Sequence, residues 1–388
     1  MFGNTIRVKT RYYIPCCRRG RKRKSGKRGK NGSGIYPALE ILGIKNGVTP
    51  ALSSEVSREV TEGPSMESTR ERLERGGISL NIKTIKRISE SFAKTSIDIR
   101  KEWLQSDDQT ETPLIPSNES LKGMNVLIST DGGKTRIRKN KRGRIPDGKK
   151  RQGYNTNWRE PRLIVIRAID DNGEVIREIP PIYDGTFDNA DPCFDLLEAH
   201  LRARDIHLAA KIVCACDGSD WIWNRMEAML DRLDVDLFKV SYVVDFFHAF
   251  EHIVKVADCR RGWNQRKRKR WLKKMKASLI RGEIEKIIEE LNKLARGRNA
   301  SSVKGEIGYF KKHKDRMRYD VLKSKNLPIG SGAVESAIRQ VINMRLKGVG
   351  KFWLKENAEG FLHLRCYLKA GRWDIMENAV INHQKHLG

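Results

Sequence analysis

No run of about 18 apolar residues, the length a membrane-crossing helix requires, occurs in the chain, and its first residues lack the apolar core of a secretory signal. The expectation is a cytoplasmic protein with no membrane partner. Cysteine is scarce and odd in number, seven residues scattered through 388, which sets aside a disulfide-stapled scaffold and points to reduced thiols. Acidic residues are in deficit: 48 against 77 lysines and arginines leave a formal net charge of +29 and a pI near 9.9. That excess goes far beyond what solubility needs and implies a polyanionic partner. The 38% of hydrophobic residues suffices for a sizeable core, and the length suggests two or three units.

The positive charge is concentrated in a few stretches. Arg18 to Lys30 is a basic, glycine-rich run, read either as a tail lying along phosphates or as a solvated one. The adjacent Cys16-Cys17 has no second pair nearby, so it cannot complete a tetrahedral zinc site. Arg136 to Arg151, broken by Gly143, Pro146 and Gly148, reads as an exposed loop or ribbon; Arg136, Arg138, Lys139, Lys141 and Arg142 are its candidate phosphate contacts. Arg266, Lys267, Arg268, Lys269 and Arg270 lie between Trp263 and Trp271, a basic aromatic helix suited to a DNA backbone or to plain solvation. Ser68–Arg75, the turn Gly76-Gly77 and a helix over Asn81–Phe92 form a helix-turn-helix or an ordinary helical hairpin. Ile82, Ile85, Ile88 and Phe92 share one face of that second helix, leaving Lys83, Lys86 and Arg87 outside. Arg345 is a further candidate DNA contact.

Three carboxylates carry the chemistry. Asn125 to Asp131 is an apolar strand-like run that stops at an acid followed by two glycines, and Lys211 to Asp217 repeats the pattern before a turn. Each alone is ordinary turn chemistry. Glu335 stands in the first turn of a helix that begins after Pro328, Gly330 and Gly332, a position the helix dipole favours for any acid. Together, Asp131, Asp217 and Glu335 form the oxygen-donor set that Mg²⁺ or Mn²⁺ binds while leaving room for phosphate. Two such ions activate a water or a 3′-hydroxyl and stabilise the leaving oxygen of a phosphodiester.

The middle of the chain alternates strand and helix. Arg162–Asp170 is a strand, Asp171-Asn-Gly173 a hairpin turn, Glu174–Ile179 its partner, Ala190–Ala203 and Trp221–Leu233 helices, and Leu237–Val244 a buried strand. This order describes an α/β, RNase H-like mixed sheet, whose first two acids lie on adjacent strands and whose third arrives on a late helix. A large α-helical insertion precedes that helix. In it, His248 and His252 share a face; a metal pair lacks a third ligand in the segment, which favours packed or hydrogen-bonded histidines. The resulting division is a basic disordered or extended tail over 1–50, a helical unit over 51–104, a linker over 105–122, a catalytic core over 123–248, the insertion over 249–326 and the terminal helices over 327–388.

Five motifs carry a resemblance: Trp158-Arg-Glu-Pro-Arg162, Asp217-Gly-Ser-Asp-Trp-Ile-Trp223, Asp245-Phe-Phe-His248-Ala-Phe-Glu-His252, Leu327-Pro-Ile-Gly-Ser-Gly-Ala-Val-Glu-Ser336 and Ala370-Gly-Arg-Trp-Asp374. In this order they resemble insertion-sequence transposases of the bacterial ISKra family, from about Val126 onward. The resemblance implies a DDE transposase with a helix-interrupted RNase H-like domain. It implies Asp131, Asp217 and Glu335 as carboxylates holding two Mg²⁺ or Mn²⁺ ions, and Asp245 and His248 as an Asp-x-x-His signature that helps organise the site. The implied partners are duplex DNA, as element ends and as target, and further copies of the chain; the implied location is the bacterial nucleoid. Family members often carry paired cysteines in an N-terminal ribbon-like element, and this chain offers only Cys16-Cys17. The alternatives are a structure-specific nuclease of the same fold, or a DNA-binding regulator without catalysis.

Overall fold

The computed structural model describes residues 7–13, 36–145, 147–150 and 152–386; Cys16-Cys17 and the basic run Arg18 to Lys30 lie outside the described residues, as do Pro146 and Arg151. Seven strands form: β1 (Asn125–Gly132), β2 (Thr135–Asn140), β3 (Tyr154–Arg159), β4 (Arg162–Ile169), β5 (Ile182–Thr186), β6 (Lys211–Cys216) and β7 (Val240–Val244). Five of them make one mixed sheet in the order β5-β4-β1-β6-β7. The pairs β5–β4 and β4–β1 are antiparallel, and β1–β6 and β6–β7 are parallel. The continuous burial of Leu163–Ile166 and of Ile212–Cys216 shows that the sheet is covered on both faces, as uninterrupted apolar strands require. β2 and β3 pair with each other as a separate antiparallel ribbon, and β2 makes one isolated bridge, from Ile137 to Trp353.

Helices α1 (Pro37–Ile41), α2 (Pro50–Glu62), α3 (Met66–Arg75) and α4 (Ile82–Gln105) precede the sheet. Side chains start the last three: Thr49 accepts the Leu52 N–H, Ser65 that of Ser68 and Asn81 that of Thr84. α4 runs 13 residues beyond Phe92 because its buried face continues through Ile97, Ile99 and Trp103, with Ala93, Ser96 and Arg100 between them blurring the apolar period. Ile82, expected on that face, is exposed at the first helical position. Lys83, Lys86 and Arg87 are exposed too, while the opposite face packs on α2 and the two C-terminal helices. The segment expected as a linker, 105–122, places Leu114, Ile115 and Leu121 in the core.

Two expected strands are shifted. The turn at Gly173 forms, with φ +78°, but Glu174–Ile179 makes only an isolated bridge from Val175 to Ile169; Pro180 and Pro181 follow, and β5 takes the place beside β4. Leu237–Lys239 is a tight turn, so β7 starts at Val240.

Helices α5 (Ala190–Arg202) and α6 (Asp220–Arg232) belong to the sheet region, and α7 (Phe246–Asp258), α8 (Gln265–Ile280), α9 (Ile284–Leu294), α10 (Ala300–His313) and α11 (Tyr319–Ser324) follow β7. In this group α7 packs on α8, α8 on α9, α9 on α10 and α10 back on α7, closing around Ile253, Met275, Leu279, Ile287, Leu291 and Phe310. The chain returns to the sheet through α12 (Gly332–Ala337), which lies on β1 and β4 and widens to π-helical spacing over Ile338–Asn343. α13 (Lys355–Lys369) packs along β5 and α4, and α14 (Trp373–His386) closes the chain. Beneath α4, α5 and α13, the fully buried Asp184 accepts from Arg100 at 2.9 Å and lies 3.0 Å from His200 and 3.1 Å from His363. Those partners hold its carboxyl well below the usual range despite burial. No helix among the described residues is long and apolar enough to cross a membrane, and the five described cysteines are free thiols.

Candidate active site

The sheet register assembles the site. β1 and β6 pair in parallel as far as Ile128 with Cys214; Asp131 and Asp217 each lie three residues further on, and Asp217 is near enough to raise the Asp131 carboxyl. β6 and β7 pair Cys216 with Val244, so the next step sets Asp217 beside Asp245. Three aspartates therefore line the carboxyl ends of three adjacent parallel strands.

Their environments differ. Asp131 is half-buried and accepts only the N–H of Gly132, at 2.6 Å. Burial pushes its carboxyl up to about 6, with the Gly132 N–H and His248 pulling the other way and Asp217 and Glu160 adding repulsion. Asp217 accepts the N–H of Ser219 at 2.9 Å and its hydroxyl at 2.7 Å, which fixes both carboxylate oxygens at the start of α6. Asp245 is 1% exposed and fully engaged: one oxygen accepts the His248 N–H at 2.6 Å, capping α7, and the other accepts the Ser331 N–H at 2.5 Å and hydroxyl at 2.9 Å. It is the joint between the helical group and the loop that leads to Glu335.

Glu335 stands in the first turn of α12, and its carboxyl is raised, first by burial and then by Asp245 and Glu251, against a pull from His248. His248 thus faces both Asp131 and Glu335, whereas Asp131 and Asp217 face each other. Among the described residues no three His, Cys, Asp or Glu side chains converge closely enough to hold one ion. Asp131 and Asp217 interact with each other, and Glu335 interacts with Asp245, Glu251 and His248.

The helical group closes over this centre. Tyr309 of α10 lies on Gly218: a Cβ built there comes within 2.2 Å of the tyrosine ring and 2.8 Å of its Oη. His252 stacks on Tyr309 with ring centres 3.7 Å apart and bonds Glu306 at 2.5 Å, while Lys312 reaches Asp220 at 2.5 Å. The Tyr309 hydroxyl is closed off with no hydrogen-bond partner; burial pushes it upward, and Asp217 and Asp245 add to the shift. His252 thus hydrogen-bonds Glu306 and packs on Tyr309. Glu160, Glu251, Glu306 and Tyr309 join the site without a chemical signature of their own in the sequence. Glu160 and Glu251 leave a local trace there, in the motifs Trp158–Arg162 and Asp245–His252.

The expected basic contacts divide in two. Lys139, Lys141, Arg142, Arg266, Lys267, Lys269 and Arg270 are exposed, and Arg268 bonds Asp258 at 2.6 Å. Arg136 is held by Gly348 O at 2.6 Å and lies over Phe352 at 4.6 Å; Arg138 lies over Tyr154 at 5.7 Å. Arg345, expected as a DNA contact, is not at the surface. It is 4% exposed, donates to Val60 O at 3.2 Å and Pro64 O at 3.5 Å, and burial lowers its guanidinium to about 10. Its work, like that of Arg365 on Thr61 O, is to satisfy carbonyls at and just beyond the end of α2.

No protein-family model, curated protein or solved structure matches the chain.

Proposed function

We propose that the chain is a DDE-type DNA transposase that cuts insertion-sequence ends and joins them to target DNA at a site built on Asp131, Asp217 and Glu335. The observation that carries this reading is the pair Asp131–Asp217, two carboxylates interacting with each other at the ends of parallel strands, one of them pushed up to about 6. A cation held by Asp131 and Asp217 would relieve that stress, since Mg²⁺ is commonly held by one or two carboxylates with waters and phosphate completing its shell. The donor set therefore fits Mg²⁺ or Mn²⁺ in two-ion use, with Asp131 and Asp217 as the protein ligands and Glu335 as the third carboxylate. When bound, such ions supply a nucleophilic oxygen and neutralise the charge on the leaving one.

The surrounding residues divide the work. Ser219 keeps Asp217 aimed, and Gly132 holds one oxygen of Asp131. Asp245 fixes the loop before Glu335 through Ser331 while Tyr309 covers Gly218, so both ends of the site are held by the helical group. The mixed sheet with acids at adjacent strand ends and a late helix on β1 and β4 supports an RNase H-like core interrupted by α7–α11. The exposed lysines and arginines of α8 and of the β2–β3 region, with the net charge of +29, support duplex DNA as partner and the bacterial nucleoid as location. Holding two ends at once calls for more than one copy of the chain. That no three His, Cys, Asp or Glu side chains among the described residues converge on one ion favours one second reading, a DNA-binding regulator that does not cut.

Incubation of supercoiled DNA carrying the gene's own borders with the chain and Mg²⁺ tests the proposal. Cleavage by the natural chain, lost in Asp217→Asn with DNA affinity kept within about twofold, is expected; equal cleavage by the variant rejects the assignment.

A further inference from the structure

The ribbon between β1 and β4 has a surface that the carboxylate site does not use. β3 is exposed at all six positions, whereas every strand of the central sheet has buried residues. A strand is ordinarily kept by burying one face, so what holds β3 is its ladder with β2, running from Thr135–Arg159 to Asn140–Tyr154. The outer edge of β2 is anchored in turn, since Arg138 N–H donates to Trp353 O at 2.7 Å and Trp353 N–H to Arg136 O at 3.1 Å. The register sorts the side chains. Arg136, Arg138, Tyr154 and Trp158 share the face on which Phe352 stacks. Thr135, Ile137, Lys139, Asn155, Asn157 and Arg159 share the other; on β2 Thr135 is buried and Ile137 packs against the core, whereas on β3 Asn155, Asn157 and Arg159 are exposed with no side-chain hydrogen bond or ion pair in the described structure. From Lys134 to Arg159 the sequence holds eleven lysines and arginines against the single acid Asp147.

We propose that this ribbon enters the major groove of duplex DNA, with Asn155, Asn157 and Arg159 on base edges and Lys141, Arg142, Arg144, Lys149 and Lys150 of the connecting loop on the flanking phosphates. The inference rests on the reading of the chain as a DNA-binding protein. A major groove about 12 Å wide admits a two-stranded ribbon, whose strands lie roughly 4.8 Å apart. Side chains on one face of a strand repeat every ~6.8 Å, close to two base-pair steps of about 3.4 Å, so the three side chains address alternate base pairs. Their chemistry matches base edges, since a carboxamide pairs with the N6 and N7 of adenine and a guanidinium with the O6 and N7 of guanine. The net charge selects a polyanion, and amides in register with the base-pair repeat select a duplex over an acidic protein surface. Only Gly133 and Lys134 separate the end of β1, where Asp131 lies, from the start of the ribbon at Thr135, so the base pairs read lie beside the phosphates that the carboxylates face.

Selection from a random duplex pool at moderate salt tests this, with the natural chain and Asn155→Ala/Asn157→Ala, both checked for the same thermal unfolding. The expected result is a motif enriched by the natural chain, its preference over the pool reduced about 10-fold or more in the variant, with pool affinity and salt slope unchanged. A motif that survives the double substitution overturns the proposal, and so does a natural chain that enriches nothing. Strand cleavage is scored separately: a chain that reads sequence through the ribbon without cutting DNA removes the transposase reading and leaves this one standing.

Discussion

Asp245 accepts both the backbone N–H and the hydroxyl of Ser331, four residues before Glu335, and through its other oxygen starts the helix that carries His248. One buried carboxylate thereby ties the third acid of the site to the helical group. Ser331→Ala removes the hydroxyl bond and keeps the N–H bond. The expected cost is about 1 kcal/mol of stability, with strand cleavage down roughly tenfold through the loosened start of α12 and DNA affinity unchanged. Denaturant unfolding and single-turnover cleavage check this; unaltered cleavage denies Ser331 a positioning role.

The raised carboxyl of Asp131 makes a pH-dependent prediction. An ordinary aspartate titrates near 3.9, and Asp131 is pushed up to about 6 in the folded chain. Between these values the native state binds more protons than the unfolded one, so this group's stabilising contribution falls as pH rises through the window and is gone above it. In metal-free buffer at pH 7.5, Asp131→Asn is expected to stabilise the chain by about 2 kcal/mol, and at pH 3.5 hardly at all. Unfolding curves at the two pH values measure the difference, and an equal effect at both removes the charge from the explanation.

Gly218 is required for space, because the Tyr309 ring that covers it is stacked on His252 and cannot slide away freely. Gly218→Ala is expected to cost about 1–3 kcal/mol and to depress cleavage by displacing Asp217. Adding Tyr309→Ala frees the space, so the double variant loses less stability than the sum of the single ones. A strictly additive cycle shows that the two residues do not press on each other.

The acids at strand ends are legible in sequence because an apolar run stopping at Asp and then Gly, as at Asp131 and Asp217, states both the strand and its end. Periodicity likewise locates α5, α6 and the helix of Glu335. It fails where a buried face is polar: Arg100 in α4 and Arg365 in α13 look like solvent-facing residues, and only the distant Asp184 and the carbonyls near the end of α2 account for them. Arg345, expected among the DNA contacts, is misread for the same reason. The ladder of β5 with β4, instead of the nearer Glu174–Ile179, follows from Pro180 and Pro181 and from pairing partners that no local window contains. Tyr309 and Glu306 lie more than eighty residues from Asp217 in sequence, and nothing in their own neighbourhood announces that α10 folds back on Gly218.

The most direct measurement is excision in cells of a marker flanked by the DNA that borders the gene, with the chain supplied separately and Glu335→Gln as control. Loss or movement of the marker with the natural chain, and none with Glu335→Gln, is the predicted result. Equal movement with both chains contradicts the role of Glu335, and no movement with either contradicts the reading of this chain as an active transposase.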